Sequence, residues 1–406
     1  MKASYQPPQK ILERYADVLV NFALNDGKGI TKGQTVLIVI SESARPLLVE
    51  LRKAITKAGG NIILKYIPSD EARYSFSRDF YMYAKGSQLT YAPQKYFAGM
   101  VSDTDHVLTV LSEDPKGLKG LPAEKISTHT QALAQLRNEY RKKENVGKLT
   151  WTLALYATPE QAKEAGLSLK AYWEQIIRAC FLDTPNPIAR WKETFNKIHA
   201  YRKALSKLPI KSLHVKGADA DLIVTLGDSR MWLGGGGHNI PSFEIFTSPD
   251  WRGTEGWIRF NQPLFYLGNK ITGIELWFEK GRVVKSRAKT NQALLHNMIA
   301  SKDADKVGEF SLTDKRFSRI EKFMAHTLFD ENVGGAHGNT HIALGMAYKE
   351  AYTGDIKKVT PKKWKELGFN DSTVHTDIIS TAPRTVTATL KNDTKKVIYK
   401  NGMFTL

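Results

Sequence analysis

The stretch from residue 34 to residue 67 most limits what this chain can fold into. Residues 34–40 are a short β-branched run, residues 44–58 carry apolar side chains at helical spacing and end on Gly59 and Gly60, and residues 61–67 are again strand-like. Strand, helix and strand in that order imply parallel pairing through a right-handed crossover. The rhythm continues with a helix at 11–24, buried strands at 106–111 and 149–157, and a polar helix at 128–143 to cover one sheet face. Residues 168–208 read as helical with an interruption at Pro185-Asn186-Pro187. A chain of 406 residues exceeds what a single core usually spans, so two domains are expected, an α/β domain over 1–208 and a second over 209–406.

The second domain has a different texture. Residues 212–215, 222–226, 274–278 and 282–288 read as strands, the last two joined by a hairpin at Glu279-Lys280-Gly281. Residues 385–391 and 395–400 repeat the pattern around Asn392-Asp393-Thr394, and helices are expected at 292–301 and 341–350. The expected class is therefore α+β, largely antiparallel. There is no repeat at solenoid period and no low-complexity tract.

Composition removes several functions. No run of about 18 apolar residues is present, and the first eight residues lack the apolar core of a secretory leader, so no membrane association and a cytoplasmic location are expected. Cys180 is the only cysteine, which rules out an internal disulfide and a cysteine-based zinc site. It falls on the apolar face of a helical stretch, where a nucleophilic role is not expected. The net charge of +18, from 59 basic and 41 acidic residues, raises nucleic-acid binding as a possibility. The lysines, however, are spread along the chain with small clusters at 141–143, 357–358, 362–363 and 395–396, and no recognition module surrounds them. A solvated lysine-rich surface accounts for the charge.

Metal-capable side chains gather in the last third. His341 and Tyr348 are seven residues apart, which on a helix returns them to nearly the same face. His375 and Asp377 are two apart in a β-branched segment and project from one side of a strand. Imidazole with carboxylate suits zinc, manganese or cobalt. Glu244 sits between Phe243 and Ile245, and Glu309 follows Gly308; each is either a ligand or a solvent-facing strand residue. Gly308 either permits close approach of another group or marks a bend. The run Gly234-Gly235-Gly236-Gly237 lacks the Gly-Lys-Ser/Thr ending of a phosphate loop and reads as a flexible connection.

These residues lie in longer segments that carry a family likeness. Residues 12–20, the run Phe243-Glu244-Ile245-Phe246-Thr247-Ser248-Pro249-Asp250 within 239–256, residues 327–332, 341–345 and 401–402 together resemble the thermophilic-type metallo-aminopeptidases, the aminopeptidase T and aminopeptidase S family. The resemblance covers nearly the whole chain. It implies a site for two divalent ions (zinc, cobalt, manganese or magnesium) with Glu244, Glu309, His341, His375 and Asp377 as ligands and Tyr348 at the metal pair. It also implies a homodimer enclosing a cavity and a peptide substrate with a free amino terminus. Glu309 is the first choice for the proton-carrying carboxylate and Glu331 the second, should Glu309 be committed to bridging. The segment between Glu331 and His341 is longer than in the founding members and leaves His337 as an extra contact. Two other readings stay open: a metallohydrolase of small non-peptide amides, and a basic nucleic-acid-binding protein whose His/Asp cluster is structural.

Overall fold

The computed structural model describes residues 5–70 and 75–406; residues 1–4, part of the segment read for a leader, lie outside the described residues. The chain forms two compact units. The first comprises Met1–Lys192 with Gly236–Ser242 and Leu267–Asn269, and the second comprises Glu193–Gly235, Phe243–Tyr266 and Lys270–Leu406.

The first unit is built on a parallel sheet in the order Asn61–Ile67, Thr35–Ser41, His106–Leu111, Thr150–Leu155 and Asn239–Ile240. Its inner strand Thr35–Ser41 is apolar on both faces, with Val36, Leu37, Ile38 and Ile40 fully buried, as parallel sheets covered by helices require. The helix Arg45–Lys57 turns Leu47, Leu51 and Ile55 inward, and Gln9–Val18 turns in Leu12, Tyr15 and Val18. Cys180 caps the helix Leu169–Ala179 and is wholly buried, and burial drives its thiol pKa far up, so it is no nucleophile.

Part of the glycine run belongs to this unit. At Gly237, with φ of +78°, a Cβ would lie 2.2 Å from the Ala23 carbonyl oxygen. The run is glycine because backbone packs against backbone there; it is a close-packed connection and no phosphate cradle.

The second unit is built mainly on two antiparallel sheets. The larger has eight strands in the order Arg282–Arg287, Glu275–Glu279, Glu255–Arg259, Ala220–Thr225, Ile210–Gly217, Thr385–Leu390, Lys395–Lys400 and Met403–Phe404. The expected hairpin between Glu275–Glu279 and Arg282–Arg287 is present, with Lys280 and Gly281 both at positive φ. The smaller sheet runs His375–Ser380, Asn339–Gly345, Val307–Thr313 and Glu244–Thr247, every neighbouring pair antiparallel.

This smaller sheet corrects one expectation. Residues 341–350 are not a helix: Asn339–Gly345 is an inner strand, followed by the short 3-10 turn Lys349–Ala351. Thr340, Ile342 and Leu344 alternate with Asn339, His341 and Ala343, a period of two. The seven-residue interval between His341 and Tyr348 is coincidental. No helix among the described residues is long and apolar enough to cross a membrane.

Candidate metal centre

Register in the four-stranded sheet decides what faces what. Ser311 lies opposite His341, Glu309 opposite Ala343, Ala343 opposite Asp377, Gly345 opposite His375, and Thr313 opposite Glu244. Directly opposed residues share a face, and so do residues two apart along a strand. Glu244, Glu309, His341, His375 and Asp377 therefore all point from one face of the sheet. The other face carries Ile245, Phe310, Leu312, Ile342, Leu344 and Ile378, all buried, and this apolar layer anchors the ligand-bearing strands.

The resulting cluster is tight. Ligand atoms of Glu244, Glu309 and His341 lie within 4.8 Å of one another, and so do those of Glu309, His375 and Asp377. His341 Nε2 is 3.3 Å from Glu244 Oε2 and 3.2 Å from Glu309 Oε1. His375 Nε2 is 3.7 Å from Glu309 Oε2 and 3.6 Å from Asp377 Oδ1. Glu309 thus belongs to both groups and turns one oxygen to each histidine.

Local structure explains how Glu309 gets there. A Cβ on Gly308 would stand 2.2 Å from the Met346 carbonyl oxygen, and the pairing with Asn339–Gly345 slips a register between Val307 and Glu309. Gly308 therefore admits the backbone of the segment after Gly345, and the bulge re-aims the next side chain.

Groups around the cluster hold its members in orientation. His375 Nδ1 lies 2.8 Å from the Met346 carbonyl oxygen, a contact it makes as donor, so its Nε2 is turned to the carboxylates. Ser311 Oγ donates to Glu244 Oε2 at 2.9 Å. Asn332 receives the Phe243 amide at 2.6 Å and donates to Glu331 Oε1 at 3.3 Å, tying the turn that carries Glu331 to the start of the Glu244 strand. The Tyr348 amide donates to Ser248 Oγ at 2.8 Å, and its ring stands edge-on to His375 with centroids 4.9 Å apart. Sequence reasoning missed Ser311, Asn332, Ser248 and the Met346 carbonyl. The alternating Glu309, Ser311, Thr313 pattern was a signal for Ser311; a backbone carbonyl leaves no trace in a sequence.

Electrostatically the cluster is strained unless cations enter it. Burial, with repulsion from Glu244 and Asp377, pushes Glu309 up to about 7, against the lowering pull of His341. Burial and the charges of Glu244 and Asp377 hold Glu331 well above the usual carboxylate range. Burial opposes a charged His375, yet Asp377 and Glu309 outweigh it and raise this imidazole to about 9. Asp377 is held low by His375 in spite of its burial. Buried carboxylates beside imidazole nitrogens, with no thiolate, form a donor set suited to hard or borderline divalent cations once the imidazoles give up their protons. These residues fit such ions.

All the expected residues are brought together except His337, whose side chain is exposed. The longer 332–340 segment adds no ligand-capable group to the cluster among the described residues.

Residues 8–404 match the family described as thermophilic metalloprotease (M29). Aminopeptidase PepS of Streptococcus thermophilus is 26% identical over 96% of this chain and 97% of its own length. Aminopeptidase T of Thermus thermophilus is 27% identical over 96% and 98%. The solved structure of wild-type AmpT from Thermus thermophilus superposes with a TM-score of 0.84 at 26% identity, covering 98% of this chain and all of that one. A 2,5-dihydroxypyridine dioxygenase from Pseudomonas putida, at a TM-score of 0.50 and 13% identity, shares the fold alone. With a match over residues 8–404 and a buried carboxylate and imidazole cluster on one sheet face, the chain belongs to the thermophilic metalloprotease family and is a metal-dependent hydrolase of peptide bonds.

Proposed function

We propose that the protein is an aminopeptidase with a two-cation site, releasing amino-terminal residues from peptides with a free amino group. The observation that carries the two-cation reading is Glu309, whose two oxygens address two different histidines, 3.2 Å from His341 and 3.7 Å from His375. Charge supports it. Glu244, Glu309, Glu331 and Asp377 are four buried or nearly buried carboxylates around two imidazoles, and two divalent ions would neutralise them.

In this reading Glu244 and His341 would hold one ion and His375 and Asp377 the other, with Glu309 available to both. Zinc, cobalt, manganese and magnesium all suit oxygen and imidazole donors. When bound, the ions would polarise the scissile carbonyl and lower the pKa of the attacking water. With Glu309 committed to spanning, Glu331 becomes the proton carrier. Its side chain, buried within electrostatic reach of Glu244, Glu309, His341 and Asp377, takes the proton of the attacking water as a carboxylate and passes it to the departing amine. The Tyr348 hydroxyl, held as a neutral phenol by burial and the nearby carboxylates, donates to the oxyanion as it develops. Ser311 and the Met346 carbonyl keep Glu244 and His375 aimed.

We also propose a homodimer and a cytoplasmic location. Phe76, Tyr83, Tyr91 and Tyr96 are each more than 60% exposed on the first unit, apolar area of the kind that a second copy would cover. A buried, unpaired Cys180 suits a reducing compartment.

The function is tested by stripping the protein with chelator, adding back each divalent ion and following a short peptide beside its amino-acetylated twin. Restored cleavage of the free peptide alone is expected. Equal cleavage of both, or none with any ion, would overturn the reading.

A further inference from the structure

The cluster is not equally closed on all sides. The side chains of His341, Glu309 and Glu244 are 1%, 5% and 9% exposed, whereas Asp377 and His375 are 13% and 18% exposed. The site is therefore most open along His375–Ser380, one of the two edge strands of its sheet. Tyr348, packed on His375, borders that opening and begins a separate lobe of the chain.

The lobe spans residues 347–369, leaving after Asn339–Gly345 and returning before His375–Ser380. It has a core of its own in Ala347, Ala351, Trp364 and Phe369. Arg230 stacks 3.7 Å over the Phe369 ring and donates to the carbonyls of Leu367 and Ser248, while the Ala347 amide bonds the Asn370 carbonyl. The lobe is thus fixed at its root. Its surface is basic: Lys349, Lys357, Lys358, Lys362, Lys363 and Lys365 stand against Glu350, Asp355 and Glu366, a net +3. Lys358 and Lys363 are met by Asp355 and Glu366. Lys357, Lys362 and Lys365 are exposed and form no ion pair among the described residues.

An exopeptidase holds the first residue of its substrate at the metals, so the rest of the peptide must leave through the open side. A compact segment of this length has a radius of gyration of roughly 7 Å. That lies within the screening length of about 8 Å at physiological salt and well within it at low salt. An extended peptide, at roughly 3.3 Å per residue, would run past the lobe over about four residues.

We propose that this lysine-bearing lobe is a specificity element that selects peptides with acidic side chains within about four residues downstream of the cleaved bond. The proposal rests on the aminopeptidase reading and adds the substrate class to it. Part of the basic charge, assigned from composition to general solvation, acquires a task here.

The test uses three carboxyl-amidated peptides of one length, with aspartate, alanine or lysine at the third and fourth positions. Hydrolysis by the metal-loaded protein is measured as kcat/KM. Binding is measured by calorimetry with the same peptides carrying a reduced, uncleavable first amide. At about 20 mM salt the aspartate peptide should surpass the lysine peptide by about tenfold in both readouts, the gap closing at 0.5 M salt. Combining Lys357→Glu, Lys362→Glu and Lys365→Glu should invert the order while the alanine peptide keeps its wild-type values, and the triple Lys→Gln change should level it. Values within twofold for all three peptides at low salt, or a preference that survives both triple variants, would overturn the proposal. Cleavage without preference removes the lobe's role alone. Preference in binding with no cleavage of any peptide keeps that role and removes the aminopeptidase reading.

Discussion

Two inner strands of this molecule show how differently a buried strand can be written. Thr35–Ser41 lies between two parallel neighbours and is apolar wherever it is fully buried. Asn339–Gly345 lies between two antiparallel neighbours and is buried at every position, yet one of its faces reads Asn339, His341, Ala343 and Gly345. The first strand is held by removal of apolar surface from water. The second contributes His341 to a sheet face that neighbouring strands fill with Glu244, Glu309, His375 and Asp377, ionisable groups whose burial is tolerable only if their charges are compensated. Structure is concentrated in one and chemistry in the other.

The largest expected effect breaks the chemistry and leaves the fold. Glu309→Gln removes the group shared by both halves of the cluster and should lower kcat/KM by at least about a thousandfold, roughly 4 kcal/mol of transition-state stabilisation. Circular dichroism should be unchanged, since one of several mutually repelling buried carboxylates is gone; near-wild-type activity would refute the role. The converse change is Leu37→Ala in the apolar strand, where a fully buried side chain is lost at a cost of about 2–5 kcal/mol in unfolding free energy. Metal content per folded chain should stay at the wild-type level. Were Leu37→Ala to empty the site, the two regions would not be separable in this way.

Chelation probes the second strand's need for compensation. With free metal about a hundredfold above its dissociation constant, removal should lower stability by about 2.7 kcal/mol for each ion, about 5.5 kcal/mol for two, read as a fall in the unfolding midpoint. That fall should add to the loss from Leu37→Ala, because the sites share no partner. A midpoint indifferent to chelator would mean the cluster is self-sufficient. The smallest effect belongs to Ser311→Ala, which deletes the hydroxyl that donates to Glu244. Metal affinity should fall about 10- to 100-fold, measured by competition with a chromogenic chelator, with kcat at saturating metal little changed.

The same contrast explains what was legible in advance. The apolar strands at 34–40, 61–67 and 106–111 stand out because β-branched runs bounded by glycine and polar residues have few other uses, and the structure places strands at Thr35–Ser41, Asn61–Ile67 and His106–Leu111. His375 and Asp377 were placed on one strand face by their spacing, and they lie there. The seven-residue interval from His341 to Tyr348 points to a helix, whereas the alternation of Thr340, Ile342 and Leu344 points to the strand that forms. That alternation was the better guide. Which strands become neighbours was not legible, since the partners of Asn339–Gly345 start more than thirty residues away on either side, and register, not local pattern, brings Glu244 and Glu309 to His341. The family likeness supplied that long-range information, and the orienting Ser311, Asn332 and Met346 carbonyl needed coordinates.

The central claim is that this sheet face holds two divalent ions with Glu309 between them. Elemental analysis of dialysed, metal-loaded wild type beside Glu309→Gln tests it most directly. The account predicts about two ions per chain in the wild type and a marked loss in the variant, with both proteins folded. Two ions per chain retained by Glu309→Gln, or none held by the wild type, would contradict it.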